Sequence, residues 1–285
     1  MATSRPRFAI VLCLCVGITS AAAWGSVTDL GAAGEYLLLA CGAPDGARSG
    51  TMILGSASEP LGDVGARGTL LVGPASHFGG NLDYGSFAQL APPVQIDGLY
   101  RKLSSSQWGT IRSDLLAASQ WAAGLSGVQR GDITASLVID SEADRFTVVN
   151  INGGIALGAG ETLTLCGQAG DKFVINFTGG LDLSAGSGIV LDGVLGEDVL
   201  FNMYGGSVYL SPIARMERAE LNGVFLAPER FWIIGDGMDI NARILVSGMQ
   251  ANLQTVSPPS IPEPASLAAV AAGAGLLTPR RKRCR

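Results

Sequence analysis

Val148-Val149-Asn150-Ile151-Asn152-Gly153-Gly154, Val174-Ile175-Asn176-Phe177-Thr178-Gly179-Gly180 and Leu200-Phe201-Asn202-Met203-Tyr204-Gly205-Gly206 repeat one pattern. Their asparagines and glycine pairs step by 26 residues without a gap. Leu157 and Leu183, Leu165 and Leu191, and Gly167 and Gly193 keep the same step. An ungapped repeat of this period marks a solenoid, in which each unit buries its apolar face only by stacking on its neighbours. One unit reads as three short strands, Phe146 to Asn152, Ile155 to Leu157 and Thr162 to Cys166, with glycines and small residues at the corners. No leucine-rich-repeat pattern is present. The expected fold is therefore mainly β, a β-solenoid or β-helix with rungs of about 26 residues.

Alternation assigns the faces. Val149 and Ile151, Ile175 and Phe177, and Phe201 and Met203 form apolar columns that point inward. Asn150, Asn176 and Asn202 then face outward or towards a covering element, and their stacked amides can bond from rung to rung. This column reads as structural. After an insertion, Pro212 to Glu220, the pattern resumes at Leu221-Asn222-Gly223, with a final rung from Phe231 to Val246.

One long helix is expected at about 105–125. Trp108, Ile111, Leu115, Ala118, Ala122 and Leu125 recur at helical steps. The serines at 104–106 supply an N-cap, and Ser126-Gly127 a stop. Its apolar face fits the outward column Val148, Val174 and Leu200. Leu37 to Ala40, Met52 to Leu54, Thr69 to Val72 and Val94 to Ile96 read as strands that add rungs to the same domain, 24–256.

The two ends read as addresses. Arg5 and Arg7, the apolar run Phe8 to Ile18 and Ala21-Ala22-Ala23 make residues 1–23 a secretory signal for Sec-type export. A Pro-rich linker, 257–264, precedes an apolar segment and basic tail, 265–285. The run Ala265 to Leu277 is shorter than the ~20 residues of a stable span. The cations after it would hold it transiently at the inner membrane. Without these ends, 12 basic and 23 acidic residues remain, a net charge of −11 that excludes nucleic-acid binding. Cys41 and Cys166 remain of five cysteines, either paired as a disulfide or separately buried.

Pro262-Glu263-Pro264, the apolar run and Arg280-Arg281-Lys282-Arg283 resemble the PEP-CTERM sorting tail of exported bacterial proteins. That resemblance implies an exosortase-like processing partner. Leu30-Gly31-Ala32-Ala33-Gly34-Glu35-Tyr36, Val149 to Gly153 and Leu221 to Pro228 resemble choice-of-anchor A and ice-binding-like domains. They imply a β-solenoid with one flanking helix, displayed outside the cell, and carry over no catalytic residue.

No motif calls for a cofactor. His77 is the only histidine and has no nucleophile elbow near it in sequence. Asp140, Glu142 and Asp144 alternate as a calcium loop begins, but Arg145 stands where the loop needs glycine. Asp182, Asp192 and Asp198 form no repeated column. Threonine does not recur by rung, since Asn152, Thr178 and Tyr204 occupy equivalent positions. The leading expectation is an exported structural or adhesive protein of the cell surface or matrix, in contact with extracellular polysaccharide. Ice binding is the alternative, and a polysaccharide-active β-helix the third.

Overall fold

The computed structural model describes residues 29–42, 50–204, 208–210, 219–252 and 255–259, with backbone alone at 208–210. The signal segment, the sorting residues and most of the insertion lie outside these residues.

The fold is a β-solenoid whose coils each contribute strands to three sheets, all paired in parallel. In the repeat, Phe146–Ile151, Lys172–Phe177 and Val199–Met203 stack in register on the first face. Ile155–Leu157 and Leu181–Leu183 stack on the second, and Thr162–Cys166 and Gly188–Asp192 on the third. The long strands Ala219–Ile234 and Met238–Ala251 each wrap all three faces. The inward residues of all coils make one core, including Ile151, Ile175, Phe177, Phe201 and Met203. Asn222 does not continue the asparagine column. It pairs in register with Asn241 on the third face, and Leu226 takes the position beside Asn202. The insertion shifts the chain around the corner, so sequence similarity and spatial column part company there.

The first described strand lies in the middle of the solenoid. Tyr36–Ala40 pairs with Asp63–Ala66 on one side and with Met238–Ala251 on the other. From there Leu82–Tyr84 and Tyr100–Lys102 build outward to one end. A helix, α1, Ser105–Ala123, then carries the chain past the middle to the other end, where Val128–Arg130 pairs with Phe146–Ile151. The remaining coils wind back until Ile244 meets Leu38. The 19 residues of α1 give a length of about 28 Å, which matches roughly six rungs of ~4.8 Å.

The helix starts at a capping box, in which Ser104 Oγ accepts from Gln107 N–H and Gln107 Oε1 accepts from Ser104 N–H. It ends at Gly124, earlier than Ser126-Gly127 would place it. Trp108, Ile111, Leu115, Ala118 and Ala122 are buried against Val148, Val174 and Leu200, together with Val224, Leu226, Leu245 and Leu39. A 3-10 turn, Gly31–Glu35, closes over the helix, with Ala32 N–H donating to the Asp114 carboxylate at 2.9 Å.

Cys41 and Cys166 do not pair. Cys41 is a free, fully buried thiol on the helix-covered face, and Cys166 is disulfide-bonded, though not to it. About four rungs of ~4.8 Å separate their coils, well beyond the reach of a disulfide. Burial pushes the Cys41 thiol up to about 12. We expect Cys41 to resist maleimide at pH 8 in the native protein and to react once denatured, as read by peptide mass mapping. Native labelling would contradict its burial.

Candidate functional site

The helix-covered face holds a polar column whose parts are all internally matched. Asn150, Asn176 and Asn202 stack in register beneath the C-terminal half of α1. Asn202 Nδ2 donates to Asn176 Oδ1 at 3.0 Å, and Asn176 Nδ2 to Asn150 Oδ1 at 2.9 Å. The same amides donate to the carbonyls of Ser119 and Ala122 in the helix and of Leu125 just beyond it, at 3.0, 2.7 and 3.1 Å. Ser119 Oγ closes the ladder by donating to Asn202 Oδ1 at 2.7 Å. Helical rise explains the fit: three residues advance ~4.5 Å, close to one rung. Each carbonyl has a second lone pair, so these amides can bond Ser119 and Ala122 O alongside their backbone partners.

Further along that column come Leu226, Leu245 and Leu39, then Gly65, Asp83 and Arg101. Asp83 is fully buried and receives two bonds of 2.7 Å from the Arg101 guanidinium and one of 2.9 Å from Tyr36 Oη. Gly65 is required here, because a Cβ would lie 2.7 Å from the Tyr36 ring. Burial, then the Asp83 charge and its hydrogen bond, hold the Tyr36 hydroxyl protonated. A cleft of about 280 Å³ opens beside these residues, between the 3-10 turn and the start of α1. Within it the Asp83 carboxylate is already engaged by Arg101 and Tyr36.

The sequence-flagged acids do not converge. Asp182 faces outward on the second sheet, Asp192 ends a strand of the third, and Asp198 sits in the turn Gly196–Asp198, its carboxyl pushed up by burial. His77 lies on the third face, its Nε2 donating to Asp97 at 2.9 Å, and Gln95 Nε2 donates to the other Asp97 oxygen at 2.9 Å. Hydrogen bonds from Gln95 and then His77 hold the Asp97 carboxyl below its usual range. Among the described residues no three His, Cys, Asp or Glu side chains could hold a metal ion, Asp140, Glu142 and Asp144 included.

The second and third faces differ in chemistry. Outward on the third face, Gln95, His77, Glu59, Thr255, Asp239 and Glu220 follow one another rung by rung, an acidic stripe. The second face is different. One outward column runs Gln89, Leu71, Ile53, Gln250 and Ile233 across five consecutive rungs. Beside it stand Phe87, Thr69, Thr51, Gly248 and Phe231. None of these residues is charged. Ile233 and Phe87 are 39% and 53% exposed. Phe231 lies across Gly248, where a Cβ would stand 2.9 Å from its ring. Along the other border Gly73 approaches the Gly55–Ser56 backbone, leaving 2.5 Å to a Cβ, so no side chain rises there. The result is a low, regular, uncharged sheet surface.

No protein-family model and no curated protein matches the chain. Solved structures do. An ice-binding protein from an Antarctic biological consortium superposes with a TM-score of 0.55 at 16% identity, over 81% of this chain and 90% of its own. What the two share is the β-solenoid fold. An ice-binding protein from the Antarctic ascomycete Antarctomyces psychrotrophicus gives 0.51 at 18% identity, over 81% of this chain and 98% of its own. In this fold the present chain sets its helix on one face, an acidic stripe on another, and leaves five consecutive rungs of the second face uncharged, with Asp182 further along that face. Sequence reading missed that uncharged surface, because threonine was sought along the 26-residue repeat and the surface is built from other coils.

Proposed function

We propose that this chain is an exported, non-enzymatic ice-binding protein that meets ice through the five uncharged rungs of the second face. The single observation behind this reading is the run of Gln89, Leu71, Ile53, Gln250 and Ile233, five rungs without a charge on an otherwise acidic molecule. Fixed charges hold tightly ordered hydration shells that do not match a lattice. Aliphatic groups and hydroxyls repeated every ~4.8 Å along the solenoid impose a regular spacing instead. An exposed apolar patch on a soluble protein also marks an interaction surface. The solved structures that share the fold and are described as ice-binding support the same reading.

Ile53→Lys and Leu71→Lys should each abolish thermal hysteresis with unchanged melting. Glu220→Lys, on the acidic face, should leave it intact. Activity that survives both lysines would remove this face from the mechanism.

A second reading is adhesion to extracellular polysaccharide in a surface matrix. It draws on the Phe87 and Phe231 rings, which offer apolar planes to sugar rings on the same face. Retention on insoluble polysaccharide without thermal hysteresis would select it. Under either reading the PEP-CTERM-like tail would deliver the protein, through an exosortase-like enzyme and transient inner-membrane retention, to the cell surface. Among the described residues no helix is long and apolar enough to cross a membrane.

A further inference from the structure

Among the described residues the solenoid has two open ends. Phe87–Leu90, Val94–Ile96 and Tyr100–Lys102 form one, and each pairs with a single neighbouring strand among the described residues. Val128–Arg130 and Leu137–Asp140 form the other in the same way. An unpaired edge is a template for another strand. Because the strands of each sheet run parallel, a second copy shifted along the axis would continue the same sheets. Such a contact joins unlike surfaces and does not close, so it would propagate into a rod.

The inward columns decide whether this happens. One column runs without a break from Tyr100 to Val128, so a stack would set these two side chains together. They are 46% and 46% exposed, an apolar pair awaiting cover. The next inward column starts at Lys102 beside Tyr84 and ends at Arg130 beside Ile151. Its interior positions are apolar, and only its two tips carry charge. In a stack, Lys102 of one copy would lie about one rung, ~4.8 Å, from Arg130 of the next. Two cations at that distance repel, the more so as the contact sheds water.

We propose that the two ends are complementary docking surfaces for further copies of this chain, held apart by the like charges of Lys102 and Arg130. Both side chains are exposed, so reversing them leaves the core untouched. The test is a charge cycle in the full chain: wild type, Lys102→Glu, Arg130→Glu and the double reversal, each checked by a thermal melt and sized by sedimentation and electron microscopy. Wild type and the double reversal should stay as single particles. Each single reversal should form concentration-dependent rods that added salt dissolves, because opposite charges then meet across the junction. Single reversals that remain monomeric, a double reversal that assembles as readily as they do, or a wild type already in rods would each overturn the proposal. The outcome does not depend on what the second face binds.

Discussion

Asn176→Ala is expected to lower the unfolding free energy by about 3 kcal/mol, read from urea transitions at pH 7. The substitution removes three hydrogen bonds at once: two donated, to Ala122 O and Asn150 Oδ1, and one accepted from Asn202. Asn176 is 1% exposed, so water does not replace the missing partners. Asn176→Asp should be at least as harmful, since it sets an acceptor against two acceptors. Hydrogen exchange in the last turns of α1 should accelerate in both variants, because the ladder is what ties Ser119 to Leu125 down. A loss below ~1 kcal/mol would mean that the helix is held by its apolar face alone.

Arg101→Ala is expected to have a similar effect, about 3 kcal/mol, for a different reason. The arginine is 43% exposed on its side chain, but the carboxylate it serves is wholly buried. Deleting the guanidinium leaves the buried Asp83 carboxyl with only the Tyr36 hydroxyl donating to it. The diagnostic is the second substitution. Asp83→Asn in the Arg101→Ala background should recover much of the lost stability, although it is a further departure from the native pair. If the double variant is no more stable than the single, loss of the arginine's packing, and not an orphaned charge, is the cause.

The repeat from 146 to 206 and the helix were legible because each carries a long apolar period whose phase survives in one dimension. The inward phase at Ile151, Phe177 and Met203 and the helix phase at Trp108, Ile111 and Leu115 could be counted directly. The first half was only partly legible. Its coils are 18 residues long, as the pairing of Ser76 with Val94 and of Val64 with Leu82 shows. Strands such as Leu82–Tyr84 are too short to show alternation. A signal was present in Gly62, Gly80 and Gly98, which keep the 18-residue step at a corner. The uncharged face lay beyond any local reading. Ile53 and Gln250 become neighbours only when the first and last coils meet, and nothing in either segment announces the other.

That meeting also sets how the chain can fold. Leu38 must find Ile244 across 206 intervening steps of sequence, so the most interior contact is the least local one. Contacts of such separation carry a high loop-closure entropy and slow the search. The 26-residue repeat can zip up on itself early, but Tyr36–Ala40 cannot be sandwiched until the last coil is available. Completion is therefore a single late event: this solenoid has to wait for its last long strand, Met238–Ala251, before it can be sealed.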